Sequence, residues 1–129
     1  MKGKLILAAM FALMLNACAF LSPVEQAQYQ ALEKDLKAAQ LQEVEKKNAA
    51  AAGVLNVLSG FGNLYLGQPG LFVANLLTWP FSPVWAVPQA AIDAGNVNKK
   101  HTIAYYNYGE GKEILKAELE KQGQAPAAN

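Results

Sequence analysis

The chain has 129 residues, enough for one domain, and a formal net charge of +1. It contains no arginine, so neither its charge nor its side chains favour bidentate contacts with nucleic acid. One cysteine excludes an intrachain disulfide, and a single histidine offers little for a metal site or a catalytic triad.

The amino-terminal segment has the pattern of a signal peptide. Lys2 and Lys4 precede the unbroken apolar run LILAAMFALML, which covers residues 5–15. We therefore predict that residues 1–17 are a signal peptide and set them apart from the fold. The alternatives are an uncleaved anchor or an ordinary signal peptide followed by a chance cysteine.

The next four residues are Leu15-Asn16-Ala17-Cys18. They resemble the lipobox of bacterial lipoproteins, in which a small residue precedes the cysteine. This resemblance implies that Cys18 carries a diacylglycerol and acyl chains such as palmitate, with residues 18–22 as the lipid-attachment linker. Two or three chains anchor a protein stably in a bilayer. It also implies the bacterial cell envelope, and because Ala19 is not aspartate, it favours the periplasmic face of the outer membrane over the inner membrane.

A polar segment rich in Ala, Glu, Gln, Lys and Leu follows. Ser22, Pro23 and Glu25 have the spacing of a capping box with proline at the first helical position. An apolar stripe with 3-4-3 spacing comes next, formed by Tyr29, Leu32, Leu36 and Ala39. We predict an amphipathic helix over residues 23–52 that contacts a partner or the body of the protein.

Between Asn48 and Asn98 the only charged side chain is Asp93. Such a stretch is either the core of a small domain or a surface in contact with lipid. Residues 49–66 are long enough for a span but are interrupted by polar side chains, and residues 70–92 contain three prolines, which tend to end helices. We predict an apolar helical hairpin over residues 53–98, with a helix over 71–78, an irregular crossing, and a short helix over 87–96.

The glycines of this stretch follow an order seen in a known family. Gly60, Gly62, Tyr65, Gly67 and Gly70, with Asp93 after a second apolar segment, resemble the two-transmembrane (TM-two) domain family over residues 53–98. The resemblance implies a membrane-associated helical hairpin without catalytic activity. A packing turn in a helical domain away from lipid is the alternative. A dinucleotide loop is disfavoured because Tyr65 occupies the place of the third glycine and no βαβ unit follows.

The flanking charges argue against a full span of this hairpin. Lysines at 46–47 and 99–100 bracket it, so both flanks should stay on one side of the membrane, which favours shallow insertion or packing. Trp79 and Trp85 are expected at the membrane boundary. Asp93 is either a functional group within lipid or, as we favour, a group near the water boundary that bonds to Asn96 or Lys99.

Within the hairpin, Gly60 and Gly62 are expected to permit close helix packing, and the segment from Gly67 to Gly70 is expected to turn the chain. Tyr65 would mark the polar boundary. After the hairpin, residues 99–122 form a polar segment with one helix and tyrosines that pack, and residues 123–129 are a disordered tail.

These expectations combine into a mostly α protein with no catalytic residue, metal, cofactor or small-molecule substrate. The expected partners are membrane lipid and either an envelope protein or further copies of the chain. The function that we expect is that of a small envelope lipoprotein with a structural or adaptor role. The alternative is a membrane-active or transport accessory protein whose hairpin inserts and oligomerises.

Overall fold

The computed structural model describes residues 19–58 and 60–123, and within them the chain is helical with no β-strand. This confirms the mostly α fold. The helices are α1 (Pro23–Ala38), α2 (Ala49–Val57), α3 (Phe61–Tyr65), α4 (Pro69–Leu77), α5 (Pro83–Ile103), a π-helical turn (Ala104–Tyr108) and α6 (Gly111–Lys121). The predicted signal peptide, Cys18 and the tail beyond Gly123 lie outside the described residues.

The chain divides into two compact units. The first, which we call the apolar unit, consists of Lys47–Gly95 together with the described residues 19 and 20. The second, the polar unit, consists of Leu21–Lys46 and the described residues from Asn96 onward. The boundary between them falls within the sequence of α5.

The polar unit begins with the capping box that the sequence predicts. The hydroxyl of Ser22 accepts a hydrogen bond from the backbone N–H of Glu25 at 3.2 Å, and the Glu25 carboxylate accepts the Ser22 N–H at 2.7 Å. Both bonds satisfy donors that a helix start leaves without partners, and Pro23 lacks such a donor. The local sequence therefore fixes where α1 starts.

The prediction of one helix over residues 23–52 is wrong beyond Ala38. Gln40 adopts a left-handed φ of 56°, and the N–H groups of Gln40 and Leu41 turn back to the carbonyls of Lys37 and Leu36. This is the Schellman ending of a helix, with glutamine where glycine is usual. No residue near position 40 signals such a stop.

The segment after α1 has its backbone groups bonded by side chains from further along the polar unit. The Thr102 hydroxyl accepts the Val44 N–H at 3.0 Å, and the Asn98 side chain accepts the Lys46 N–H at 3.1 Å. The Tyr106 hydroxyl donates to the Gln42 carbonyl at 3.0 Å. These tertiary bonds replace helical ones, which explains how the chain can leave the helix here.

The core of the polar unit confirms the predicted stripe on α1. It also includes two leucines of α6, so the carboxy-terminal helix packs into the same core. The buried members are Tyr29, Leu32, Leu36, Ala39, Ile103, Tyr106, Leu115 and Leu119.

The apolar unit contains more helices than the predicted hairpin. The first apolar stretch forms two helices, α2 and α3, because the chain turns at Gly60, whose φ is +90°. The bounds of α4 agree to within two residues with the helix predicted over residues 71–78. The predicted short helix over 87–96 is instead the 21-residue α5, which contains Pro88. No helix within the described part of the chain is both long and apolar enough to cross a membrane.

Candidate membrane-facing surface and buried polar network

Large apolar side chains are exposed on every helix of the apolar unit. They lie on α2, α3, α4, the connection to α5 and α5 itself. The exposed members are Phe20, Val54, Val57, Leu58, Phe61, Leu64, Val73, Leu76, Leu77, Trp79, Phe81, Val84, Trp85 and Ile92. Isolated apolar residues on a surface are ordinary, but a set this extensive indicates an interaction surface.

This surface also lacks charge. From Asn48 to Gly95 the one charged side chain is Asp93, and only 2% of its surface is exposed. Surfaces that face water usually carry about a quarter or more charged residues of both signs. The exterior of the apolar unit therefore has the composition of a surface that meets an apolar medium.

The interior of the same unit is polar. Six buried side chains with hydrogen-bonding groups lie inside it: Asn56, Asn63, Gln68, Asn75, Ser82 and Asp93. The buried apolar residues beside them are small or few: Ala52, Leu66, Leu71, Ala74, Ala86, Ala90 and Ala94. Polar side chains therefore form about half of this interior, an unusually large share, whereas the exterior is mainly apolar.

Asn63, on α3, is the centre of a hydrogen-bond network. Its side-chain oxygen accepts the amide groups of Asn56 at 2.7 Å and of Asn75 at 2.8 Å. The backbone N–H of Asn63 donates to the Asn56 oxygen at 3.0 Å, and the Asn56 amide also donates to the Ala86 carbonyl at 2.6 Å. One residue thereby links α2 and α4, and Asn56 extends the link to α5.

A relay of donors runs from this centre to Asp93. The Trp85 indole donates to the Asn75 oxygen at 3.3 Å, and Asn75 donates to Asn63. The Asn63 amide donates to the Gln68 oxygen at 2.9 Å, and the Gln68 amide donates to Oδ2 of Asp93 at 2.9 Å. Each donor points toward the carboxylate, so the aligned dipoles stabilise its negative charge and polarise one another.

Asp93 lies where the relay ends. Its carboxylate accepts the Gln68 amide and also the backbone N–H of Ala19. Burial raises the pKa of the Asp93 carboxyl above its ordinary value, and the two hydrogen bonds oppose that rise. The expectation that Asp93 lies at the water boundary is wrong, because tertiary donors and neighbouring helices enclose it.

The predicted roles of the glycines divide between packing and turning. At Gly62 an ideal Cβ would lie 2.0 Å from the carbonyl oxygen of Ala52, so α2 and α3 touch there through backbone. At Gly60 a Cβ would approach Asn75 to 2.9 Å. Gly67 has a φ of +78° and turns the chain, whereas Gly70 lies exposed within the first turn of α4.

Tyr65 lies beside the start of the uncharged stretch, and the two tryptophans are partly exposed. The Lys47 ammonium lies 4.4 Å from the centre of the Tyr65 ring and donates to the Tyr65 carbonyl at 2.7 Å. The Tyr65 hydroxyl accepts the Asn48 N–H at 3.2 Å. Tyr65 thus contacts the last charged residue before the uncharged stretch. Trp79 and Trp85 are both about half exposed.

The four residues that build the network, Asn56, Asn63, Gln68 and Asn75, were missed as functional candidates. Their signal in the sequence was visible, since Asn56 and Asn63 interrupt the first apolar stretch. Within residues 19–58 and 60–123 no group of three or more His, Cys, Asp or Glu side chains could hold a metal ion. Comparisons with protein-family models, with curated proteins and with solved structures find no match to this chain.

Proposed function

We propose that this protein is a small lipoprotein of the bacterial envelope, acylated at Cys18, with a structural or adaptor role and no catalysis. In this proposal the apolar unit contacts membrane lipid and the polar unit stays in water, where it binds another envelope component. The observation that carries the proposal is the uncharged, apolar exterior of the apolar unit, which begins at the residues directly after Cys18.

Lipid fits this exterior better than a protein partner does. A partner covers one face, whereas the exposed apolar residues lie on all the helices of the unit. Lipid also offers no hydrogen bonds, so polar groups within it must find partners inside the protein. The network centred on Asn63 supplies such partners.

The helix lengths support insertion into one leaflet. At 1.5 Å per residue, the nine-residue helices α2 and α4 are about 13 Å long. A hydrocarbon core is about 30 Å thick, so each helix matches about half of it. Tryptophan prefers the interface between hydrocarbon and water, which suits Trp79 and Trp85 on this exterior. We favour the periplasmic leaflet of the outer membrane.

Oligomerisation through small residues, the alternative function, has less support. Close approach between copies would require glycines on free helix faces. Gly62 already packs against α2, and Gly60 packs against α4, both within the chain. These two glycines are therefore occupied by intramolecular contacts.

Acyl labelling tests the anchor. Cells fed radiolabelled palmitate should label the native protein and not the Cys18→Ser variant. A matched control adds Ser22→Cys to that variant, which restores a thiol four residues away without restoring the lipobox and should remain unlabelled. Absence of label on the native protein, or label on the control, contradicts acylation at Cys18.

Tryptophan quenching tests the lipid contact, because Trp79 and Trp85 are the only tryptophans and both lie in the apolar unit. The purified Cys18→Ser protein is mixed with phosphatidylcholine vesicles brominated either near the head-group end or near the end of the acyl chain. We expect strong quenching that is greater with shallow bromine. Equal fluorescence with brominated and ordinary vesicles would contradict contact between the apolar unit and lipid.

A further inference from the structure

We propose that the Asp93 carboxylate is a binding site for the first residues of the mature chain, holding the backbone of Ala19 against the apolar unit. The structure contains the hydrogen bond from the Ala19 N–H to the Asp93 carboxylate. Its meaning for the lipid anchor rests on the proposed acylation of Cys18.

The negative charge of the Asp93 carboxylate is costly to bury. A carboxylate surrounded by an uncharged unit is unfavourable unless donors satisfy it. The two donors are the Gln68 amide, at 2.9 Å, and the Ala19 N–H. Gln68 belongs to the relay, so the first described residue of the chain, Ala19, supplies the second donor.

The Asp93 carboxylate also has the acceptor chemistry that this site needs. An ionised carboxylate has two oxygens that only accept, so it can receive a donor from the relay and another from the chain at the same time. An asparagine there would have one accepting oxygen and an NH₂ group in place of the second, so both donors would have to share that oxygen. Aspartate therefore matches a site that joins two sets of N–H groups.

Apolar side chains next to Ala19 and Asp93 in the sequence are exposed. Phe20 follows Ala19 and is 66% exposed, and Ile92 precedes Asp93 and is 64% exposed. Cys18 is one peptide bond from Ala19, about 4 Å between Cα atoms. Acyl chains attached to Cys18 would thus start beside an exposed apolar part of the same unit.

In this arrangement the acyl anchor and the apolar surface act as a single membrane attachment. On a flexible linker the anchor would sample many positions relative to the apolar surface, whereas a docked anchor holds both in the same leaflet and raises the effective concentration of the apolar surface at the membrane. The lipid-attachment linker is then held at Ala19 by Asp93.

Hydrogen exchange measured by NMR tests the site in the full-length mature protein in detergent micelles. We expect the Ala19 amide to exchange at least about tenfold more slowly than an unstructured alanine amide, and to lose that protection in Asp93→Ala. The matched control is Asp35→Ala, the same substitution at the other aspartate, which should leave Ala19 protected. The Ala52 amide in α2 reports whether the apolar unit is still folded.

A measurement on the unsubstituted protein covers the case in which Asp93→Ala does not fold. The chemical shifts of the Ala19 amide proton and of the Asp93 carboxyl carbon should titrate with one midpoint, while the Ala27 amide in α1 should not follow it. An Ala19 amide that exchanges at the unstructured rate, or that ignores the Asp93 titration, overturns the site. That result leaves palmitate labelling at Cys18 unaffected, so the two proposals fail separately.

Discussion

Replacing Gly62 with alanine should destabilise the apolar unit strongly. The new Cβ would lie 2.0 Å from the Ala52 carbonyl oxygen, and ordinary contact begins at 3.4 Å, so α2 and α3 must separate by 3.4 − 2.0, about 1.4 Å. That movement would lengthen the 3.0 Å bond between the Asn63 N–H and the Asn56 oxygen beyond hydrogen-bonding distance.

The magnitude follows from these two effects. Overpacking a core costs about 1–3 kcal/mol, and leaving a buried polar group without its partner costs about 1–3 kcal/mol more. Alanine returns about 0.5–1 kcal/mol through its helix preference. The expected net loss for Gly62→Ala is therefore about 1–5.5 kcal/mol, a large part of the stability of a small domain.

Urea unfolding followed by tryptophan fluorescence measures this loss, because both tryptophans lie in the apolar unit. The matched control is Gly95→Ala in α5, where an added Cβ meets no atom within 4 Å. That variant should gain about 0.5–1 kcal/mol, since it has the helix preference without the clash. If Gly62→Ala proves as stable as Gly95→Ala, the backbone contact between α2 and α3 is refuted.

Three further substitutions test the core, the network and the helix cap. Leu119→Ala should cost about 2–5 kcal/mol in the polar unit, read from helix loss by circular dichroism, because the side chain is 1% exposed in its core. Asn63→Leu should cost about 3 kcal/mol or more, because the Asn56 and Asn75 amides lose an acceptor and the Gln68 oxygen loses a donor. Ser82→Ala should be within about 0.5 kcal/mol of the native protein, because the buried Ser82 hydroxyl has no hydrogen-bond partner within the described residues. Ser22→Ala should cost about 1 kcal/mol. The hydrogen bonds to Ser22 lower the pKa of the Glu25 carboxyl, so their stabilisation is present above the ordinary carboxyl pKa and is lost as the pH falls through the folded value. Acid titration of Ser22→Ala should therefore show a smaller loss of stability than that of the native protein.

The parts of the fold that were predicted correctly depend on local signals. The capping box at Ser22 and the apolar stripe from Tyr29 to Ala39 involve residues within a few turns of one another, so the sequence carries their partners alongside them. The end of α1 does not, because the bonds that replace the helix come from Asn98, Thr102 and Tyr106. Partners more than 50 residues away leave no mark on the segment that they redirect.

The network was missed for a different reason. A periodic pattern indicates which residues share a helix face, but it does not indicate whether that face meets protein or its surroundings. Asn56 and Asn63, amides within the first apolar stretch, counted only as interruptions of a possible span, and the choice between a core and a surface in contact with lipid stayed open. In a segment whose one charged residue is Asp93, no charged face indicates which side of a helix meets water.

The polar residues themselves hold the information that decides the question. The four amide side chains of the network and the Asp93 carboxylate must each find partners wherever water is excluded. They can do so most completely by gathering in one place, which forces the more numerous apolar side chains outward. Asn63, on α3, is within reach of side chains on α2 and α4. Gly62 beside it has no side chain that would hold α2 away. The glycines and the asparagines therefore have complementary roles. The glycines let the helices approach, and the asparagines join them through hydrogen bonds.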